Sequence, residues 1–499
     1  MSDFFGWVIL LPLAGACLAL LAGKRVTPVV GVVTAMLTFG AVAGLAWDVW
    51  QLGQQRYALG GWTIPLGINL YADGLTILML LMTASVGLGV SIYSLGYFTH
   101  SPVEGGWSED HGFWPLFLFL WAALNALFLS ADLFNLYVSL EMLALSAVGL
   151  IVLAGGGTAL TAALRYLLAA FVGSLSYLFG VTLLYAEFGT LDLYELSGVI
   201  MSTNAALAAI GLITVGLLLK TALFPLHFWL PQAHTSAPAP VSALLSALVV
   251  KASFYMLVRL WFEAFPDTVS PSAAQFLGVL GAGAIIWGSV QAVAQTRLKL
   301  LIAYSTVAQI GYLFLVMPLA LAPLVDTGTV VTTANFDAWS GGIYQALSHA
   351  LAKASMFLAA GSVMHALGHD RLSGLRGVAE KLPLTAAAFG IAGVSLIGLP
   401  PSGGFIAKWF LLRSSVASGQ WWWVIVLILG GLLSATYVLV VLRQMLLRAD
   451  ESFKMQPVPK VMELATFGLA LGSLLLGLRS IELLEFLEIG GPFPPGTGE

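Results

Sequence analysis

The sequence predicts an all-α polytopic membrane protein with about 14 transmembrane helices. Hydrophobic residues make up 59% of the 499-residue chain and charged residues only 9%, whereas a soluble domain carries about 25% charged residues. The apolar stretches reach the roughly 20 residues that a helix needs to cross a bilayer, and they are too long for the strands of a β-barrel. The predicted helices cover residues 4–22, 28–48, 74–98, 112–130, 132–154, 160–186, 203–224, 239–263, 274–295, 300–322, 341–366, 384–412 (interrupted), 421–446 and 460–486.

The start of the chain and its composition exclude several classes of protein. The first apolar stretch lacks a basic region before it and runs into a second one, so we predict a transmembrane helix and not a cleaved signal peptide. The single cysteine, Cys17, excludes intrachain disulfides and multi-cysteine metal or iron–sulfur sites. A net charge of −4 without a basic tail argues against a nucleic-acid partner. No cofactor or metal motif occurs in a usable context, so we expect no cofactor and no catalytic centre in this chain.

The distribution of loop cations predicts the orientation. Loops after odd-numbered helices, with their flanks, carry twelve Lys and Arg residues, and the opposite side carries three. The positive-inside rule then places the odd loops in the cytoplasm and both termini on the outer side. The twelve are Lys24, Arg25, Arg165, Arg297, Lys299, Arg371, Arg376, Lys381, Arg443, Arg448, Lys454 and Lys460, and the three are Arg56, Arg413 and Arg479.

Four lysines lie well inside predicted helices, where each costs about 2.5–3.5 kcal/mol on the insertion scale. One acid, Glu141 in predicted helix 5, lies comparably deep. A static scaffold of ion pairs would be expected to match opposite charges, and a buried lysine without a permanent partner can exchange its proton. We therefore favour a proton relay over a purely structural role. The lysines are Lys220, Lys251, Lys353 and Lys408.

Other charged residues are predicted near helix ends. Arg259 lies toward the outer end of predicted helix 8, from which its side chain can snorkel to the interface. Asp73 and Asp132 begin predicted helices 3 and 5 and are expected near the outer interface.

Two predicted helices, 7 and 12, are broken beside a lysine. Pro225 follows Lys220, and Pro400 and Pro401 precede Lys408. Proline removes a backbone donor and disrupts the preceding turn, and interrupted helices at corresponding places in two halves point to a transport site. We predict two inverted five-helix repeats, helices 4–8 and 9–13, although proline and glycine are also common in ordinary membrane helices. The predicted division is 1–111, 112–265, 266–447 and 448–499.

Three histidines are further candidates. His349 and Lys353 are four residues apart and share one helix face, and histidine titrates near neutrality, which suits a proton shuttle. The alternative is an ordinary hydrogen-bonded core histidine. His227 and His234 follow the break after predicted helix 7, in what we expect to be a cytoplasmic-side loop. They are candidates for proton entry, although loop histidines are more often incidental.

The segment KTALFPLHFWLPQAHTSAPAPVSALLSALVVK, residues 220–251, closely resembles the signature of the antiporter-like proton-translocating subunits. This superfamily includes Mrp-type cation/proton antiporter subunits, the large pump subunits of respiratory complex I and related subunits of membrane-bound hydrogenases. The segments SHALAKASMFL and GLPPSGGFIAKW match as well. The resemblance covers essentially all of predicted helices 3–13.

The resemblance implies a role for each deep residue. Glu141 looks like the glutamate that pairs with Lys220, Lys251 like the central lysine, and Lys408 like the last residue of the relay. His349 and Lys353 look like the residues that connect the two halves. One complex I subunit type carries glutamate at the last place, so lysine here fits a D-type Mrp subunit or a hydrogenase-type relative.

These observations predict a proton-translocating subunit of a multisubunit Na⁺/H⁺ antiporter in the plasma membrane of a prokaryote, associated with other membrane subunits. The alternative is a pump subunit of a redox-driven complex, complex I or a hydrogenase, in which this chain holds no redox centre. A membrane enzyme acting on quinone or lipid is disfavoured because no nucleophile or metal constellation is present. The sequence leaves open whether Na⁺ or K⁺ passes through this chain.

Overall fold

The computed structural model describes residues 4–62, 64, 67–98, 109–322, 334–448 and 455–493, which are almost entirely helical. Lys454, one of the cations in the orientation argument, lies outside these residues. In chain order the first half contains α1 (Phe4–Leu21), α2 (Thr27–Leu52), β1 (Gln55–Ala58), β2 (Asn69–Ala72), α3 (Gly74–Tyr97), α4 (Glu109–Leu129), α5 (Leu133–Val152), α6 (Gly156–Phe188), α7 (Leu193–Val199), α8 (Asn204–Thr221), α9 (Leu230–Ser236), α10 (Ala239–Leu244) and α11 (Val250–Arg259). The second half contains α12 (Pro271–Val293), α13 (Leu298–Phe314), α14 (Val316–Ala320), α15 (Ala334–Leu367), α16 (Val378–Lys381), α17 (Pro383–Ile397), α18 (Gly403–Ala417), α19 (Trp421–Leu446), α20 (Lys460–Leu478) and α21 (Ser480–Glu488).

The described residues include 13 helices that are long and apolar enough to cross a membrane. Each coincides with a predicted helix. The remaining predicted helix, the interrupted one, is the pair α17 and α18, which have 15 residues each. The prediction of an all-α polytopic membrane protein is therefore confirmed. The antiparallel hairpin of β1 and β2 between α2 and α3 was not predicted. The inverted relation of the two repeats and the four-part division of the chain stay predictions.

Both predicted helix breaks are present. The helix α8 ends at Thr221, and Ala222 after it has a left-handed backbone with φ of 60°. The helix α17 ends at Ile397, and Gly398 takes the same place with φ of 87°. A left-handed residue after the last turn is a common helix stop. The chain therefore leaves the helix axis at both lysine-bearing segments.

Backbone groups freed by the breaks find partners inside the protein. The Trp229 indole Nε1 donates to the Leu219 carbonyl at 3.0 Å, which satisfies an acceptor in the last turn of α8. At the second break the Phe405 amide donates to the Ser402 hydroxyl at 3.2 Å, so Ser402 caps the start of α18. Irregular backbone at membrane depth is tolerated where protein satisfies it in this way.

The segment Ala239–Ala264 is the most enclosed candidate span, and all of its most apolar window is buried within the protein. It runs through α10 and α11 and contains two π-helical turns, Leu245–Val249 and Leu260–Ala264. It packs against α3, α4, α8 and α15. Its polar residues therefore face other helices and not lipid. Single π-turns inside helices often occur at functional sites.

The helices α6 and α8 approach each other closely at paired glycines. A Cβ atom on Gly173 would lie 2.9 Å from the Gly216 carbonyl oxygen and 3.2 Å from Cγ of Lys220. Small residues at an interface let two helix backbones approach without a clash. The absence of a side chain at Gly173 thus leaves room for the Lys220 stem beside α6.

Candidate proton-relay site

The ion pair between Lys220 and Glu141 joins α8 to α5. Lys220 Nζ lies 3.3 Å from Glu141 Oε1, and the Ser174 hydroxyl on α6 donates to the same oxygen. The Lys220 side chain is 7% exposed and that of Glu141 is 27% exposed. The carboxylate is therefore partly exposed on the surface of this chain, while the ammonium group is held inside the protein. This is the pairing that the sequence analysis expected.

Lys251 is fully buried and has no acidic partner among the ion pairs of the described residues. Its ammonium group donates to the Ser246 carbonyl in the first π-turn. The Ser246 hydroxyl is 2.9 Å from the Thr306 hydroxyl on α13. The lysine is thus linked to α13 through one serine.

Lys353 on α15 is also fully buried, and it contacts α13 directly. Its ammonium group donates to the Ile302 carbonyl at 3.0 Å and to the Ser305 hydroxyl. A buried ammonium group requires hydrogen-bond acceptors. These two oxygens supply them in the place of a carboxylate.

Lys408 on α18 binds the C-terminal end of α17, the other half of the interrupted helix. Its ammonium group donates to the Leu396 carbonyl at 2.9 Å and the Ile397 carbonyl at 2.8 Å. It also lies 4.4 Å from the centroid of the Tyr312 ring. The last carbonyls of a helix lack intrahelical partners and carry partial negative charge, and an aromatic face attracts a cation. The break therefore creates the binding place for this lysine.

A polar face of α13 connects the last three lysines, and the sequence analysis missed it. The Gln309 amide nitrogen donates at 3.2 Å to the Leu396 carbonyl, the oxygen that also accepts from Lys408. Its amide oxygen accepts from Gln345 on α15 at 2.8 Å. The signal in the sequence was the recurrence of polar residues at helical spacing in an apolar helix. These residues are Ser305, Thr306, Gln309 and Tyr312.

His349 and His234 are buried near this face. His349 is 1% exposed and His234 is 0% exposed, and neither imidazole has a hydrogen-bond partner among the described residues. His349 interacts electrostatically with Lys251 and Lys353. His234 stacks on Phe357 with ring centroids 5.0 Å apart. The expectation of a loop for His234 was wrong, because the chain resumes a helix, α9, five residues after Pro225.

His227 lies in the turn between α8 and α9, as expected. Its ring stacks on Phe224 with centroids 5.6 Å apart, and the side chain is half-buried. Burial lowers the pKa of His227 from its ordinary value, opposed by a backbone hydrogen bond at Pro225. The imidazole therefore favours its neutral form at this surface.

Lys299 is a buried cation that the sequence analysis assigned to a loop. It lies in the first turn of α13, is 2% exposed and donates to the Ala237 carbonyl at 2.5 Å, just beyond the end of α9. Its neighbour Arg297 pairs with Asp370 at 3.0 Å. Lys299 thus fixes α9, and with it His234, against α13.

The structure places Lys251, Lys353 and Lys408 around the polar face of α13, and it pairs Lys220 with Glu141 between α8 and α5. Ammonium, imidazole and hydroxyl groups can hold protons or pass them through hydrogen bonds. The chemistry that these groups support is proton movement. Within the part of the chain that the structure describes, no group of three or more His, Cys, Asp or Glu side chains could hold a metal ion.

Comparison with known proteins yields two matching family models. The model described as NADH:quinone oxidoreductase/Mrp antiporter, TM, matches residues 130–434. The model described as NADH-ubiquinone oxidoreductase (complex I), chain 5 N-terminus, matches residues 60–105. Together they include every candidate relay residue.

Individual relatives and solved structures agree with these matches. The chain is 36% identical to NADH-quinone oxidoreductase subunit N of Desulforudis audaxviator, over 88% of this chain and 86% of that protein. It is 32% identical to the D-type subunit of the Na(+)/H(+) antiporter of Bacillus subtilis, over 84% and 82% respectively. A chain of the Mrp complex of Dietzia sp. shares the fold, with a TM-score of 0.86 at 23% identity over 99% of this chain and 98% of that one. A chain of an archaeal respiratory complex, the membrane-bound sulfane sulfur reductase, has a TM-score of 0.87 at 25% identity over the same shares.

Proposed function

We propose that this chain, which belongs to the family of membrane subunits shared by NADH:quinone oxidoreductases and Mrp antiporters, moves protons as one subunit of a multisubunit Na⁺/H⁺ antiporter. The observation that carries the proposal is the row of buried lysines, of which three contact or are linked to the polar face of α13 and one pairs with Glu141. A relay needs groups that gain and lose protons away from bulk water, and these lysines are such groups.

The Glu141–Lys220 pair is the switch of the proposed relay. While the two groups are close, the carboxylate favours the charged form of Lys220. When the pair opens, the buried ammonium loses its compensation and gives up a proton toward the interior.

Protons then pass from Lys251 to Lys353 and Lys408. The groups do not all touch, because packed helices are about 8–10 Å apart, and water bridges the remaining gaps. Ser305, Thr306 and Gln309 supply hydrogen-bonding groups between the lysines. His349 assists the transfer, because its imidazole can bind and release a proton and lies one helical turn from Lys353 on α15.

Proton entry occurs beside the break after α8. His227 is half-buried at the turn, and His234 lies deeper, on α9, which Lys299 holds against α13. This arrangement leads from the surface toward the interior. In this proposal both imidazoles carry protons inward, and Lys299 holds α9 in place.

The protein acts in the plasma membrane of a prokaryote beside other membrane subunits, with both termini on the outer side. The excess of loop cations on one side supports this orientation. Relatives named as antiporter subunits and a fold shared with a chain of an Mrp complex support a hetero-oligomeric assembly.

A second candidate function is proton pumping in a redox-driven complex. The identity of 36% with subunit N of an NADH-quinone oxidoreductase, over 88% of this chain, favours it. The two functions share the relay and differ in the neighbouring subunits. Purification of the intact complex and identification of its components distinguishes them, because redox subunits favour the second function and small membrane subunits alone favour the first.

Substitution of the switch pair tests the relay itself. Glu141→Ala and Lys220→Ala, each in the assembled complex in proteoliposomes, are expected to lower cation-coupled proton movement about 100-fold or more, the usual scale for loss of a proton-transfer group. Glu187→Ala is the matched control, because this carboxylate lies on α6 and is exposed. Normal transport in either relay variant would contradict the proposal. If an alanine variant does not assemble, Glu141→Gln and Lys220→Met are measured instead.

A further inference from the structure

A second buried ionic cluster lies at the other end of the Ala239–Ala264 segment. Arg259 Nη1 donates to Asp73 Oδ2 at 2.6 Å and to the two Glu263 oxygens at 2.6 and 2.8 Å. Arg259 Nη2 donates to the other Asp73 oxygen and to the Thr76 hydroxyl, the latter at 2.8 Å. The expectation that Arg259 snorkels to the interface was wrong, because its carboxylate partners hold it inside, at 3% exposure. The relay proposed above does not use these groups.

The cluster has one carboxylate more than its guanidinium can neutralise. Arginine stays protonated in proteins, so the cluster carries an excess negative charge when both acids are ionised. Tyr71 and Tyr194 also face it, and burial raises the pKa of Tyr71 to about 12 and that of Tyr194 further, so both phenols stay neutral. The remaining nearby cation, Arg56, lies over the Tyr194 ring at 4.1 Å from its centroid.

The two carboxylates differ in how firmly they are held. Both Asp73 oxygens accept from the Arg259 guanidinium, and one also accepts from the Thr76 backbone amide at 2.9 Å. Glu263 accepts from a single guanidinium nitrogen. A carboxylate that binds a proton gives up an acceptor site, and Glu263 has fewer hydrogen-bond donors to lose than Asp73 has.

The cluster continues a stripe that starts at the relay. Lys251, Tyr255, Arg259 and Glu263 follow one another at intervals of four residues, which places them on one face of the helix. Arg259 Nε donates to the Tyr255 hydroxyl at 3.1 Å. The second π-turn, where the Phe265 amide donates to the Leu260 carbonyl five residues back, contains Glu263.

Exposure rises along the stripe. Lys251 and Asp73 are 0% exposed, the Arg259 side chain 4% and the Glu263 side chain 15%. Glu263 is the most exposed of these residues, and it lies at the end of the segment opposite the break after α8. By the charge distribution of the loops, this end faces the outer side.

We propose that Glu263 is a proton-exchange site through which Lys251 communicates with the outer side, with Arg259 and Asp73 as positioning residues. The inference rests on the proposed function. In the transfer, an O–H bond forms at Glu263 with a proton from bulk water and then breaks, and the proton passes over water to the Tyr255 hydroxyl. This hydroxyl, which donates to the Phe128 carbonyl at 2.7 Å, takes that proton and releases its own toward the uncharged Lys251 amine, where an N–H bond forms. The proton then follows the relay from Lys251 to Lys353 and Lys408. Arg259 keeps its protons and holds the glutamate over the path.

The competing explanation is a structural staple between α3 and the Ala239–Ala264 segment. A staple is lost when Arg259 or Asp73 is changed, but it does not depend on a titratable group at residue 263. Glu263→Gln keeps the size and an acceptor oxygen for Arg259 and removes the titratable group. The matched control is Glu482→Gln, an exposed carboxylate on α21.

The test measures cation-coupled proton movement by the assembled complex in proteoliposomes, with the pH varied on the outer side only. Glu263→Gln is expected to lower transport about 100-fold and to remove its dependence on outer pH, whereas Glu482→Gln behaves as the wild type. Normal transport with the normal pH profile in Glu263→Gln overturns the inference. If that variant does not assemble, Glu263→Asp is measured, and a shifted pH profile supports the inference while an unchanged profile overturns it.

Glu141→Ala in the same experiment separates the two proposals. Loss of transport in Glu141→Ala with normal transport in Glu263→Gln leaves the proposed function standing and removes the outer exchange site. Normal transport in Glu141→Ala removes the proposed function itself.

Discussion

Lys220 and Lys408 both lie beside a broken helix, yet the protein neutralises their charges differently. Lys220 faces a carboxylate, Glu141, at 3.3 Å. Lys408 faces two carbonyl oxygens at the end of α17 and the ring of Tyr312. A carboxylate on a separate helix can move away or take a proton, while helix-end carbonyls are fixed in the backbone. In the proposed relay this difference suits Lys220 to act as the switch and Lys408 to act as the last, fixed proton-binding group.

The two helix breaks also differ in the residue that ends the helix. Ala222 carries the left-handed backbone after α8, where a residue with a side chain is strained, and Gly398 carries it after α17. A Cβ atom on Gly398 would lie 2.6 Å from Cδ of Lys408. The missing side chain of Gly398 therefore leaves room for the Lys408 stem.

The largest expected effect comes from removing each charge. Lys220→Met and Lys408→Met are both expected to lower proton transport about 100-fold, measured on the assembled complex in proteoliposomes. Their stabilities should differ, because Lys220→Met leaves Glu141 without its partner, at a cost of about 1–3 kcal/mol. Adding Glu141→Gln should restore the melting temperature of Lys220→Met and lower that of Lys408→Met further, because in the second protein it leaves the buried Lys220 without its carboxylate. Equal rescue of both would contradict the comparison.

A smaller effect is expected at the two left-handed residues. Gly398→Ala should destabilise the protein by about 1 kcal/mol or more, because of the backbone strain and the clash with Lys408. Ala222→Gly relieves a similar strain but loses a buried methyl group worth about 0.8 kcal/mol, so the two terms nearly cancel. Thermal unfolding in detergent measures the stability of both variants. A larger fall in melting temperature for Ala222→Gly than for Gly398→Ala would contradict the view that the site beside Lys408 needs a glycine.

The smallest effect concerns pH and His227. Burial lowers its pKa in the folded state, so the unfolded chain binds a proton at higher pH than the folded protein does. Its contribution to stability is complete above the ordinary histidine value of about 6.5 and is lost as pH falls below it. His227→Gln should therefore flatten the fall in melting temperature between pH 7.5 and pH 5. An identical pH profile in both proteins would rule out this contribution.

The sequence predicted those features that depend on local properties. Helix number follows from the length of apolar runs, the breaks follow from Pro225, Pro400 and Pro401, and the relay lysines follow from the cost of a charge in an apolar stretch. The relay was also supported by a resemblance carried by residues 220–251. These features need no knowledge of which helices are neighbours.

Features that depend on distant partners could not be predicted. Arg259 is buried because it pairs with Asp73, which lies 186 residues away in the sequence. Lys299 is buried because it donates to the Ala237 carbonyl, 62 residues away. Neither partner can be identified from the residues around each cation. The polar face of α13 gives a weak signal, since serine, threonine and glutamine are ordinary in membrane helices and acquire meaning only beside Lys353 and Lys408. The pairing of Glu141 with Lys220 came from the resemblance and not from spacing.

The most direct test of the central claim interrupts the relay in its middle. Lys353→Met removes one charge from α15 and leaves the Glu141–Lys220 pair and Lys408 in place, and cation-coupled proton movement is measured on the assembled complex in proteoliposomes. If protons pass through a single connected relay, transport should fall about 100-fold although both ends are intact. Transport at the wild-type rate in an assembled Lys353→Met complex would contradict the account.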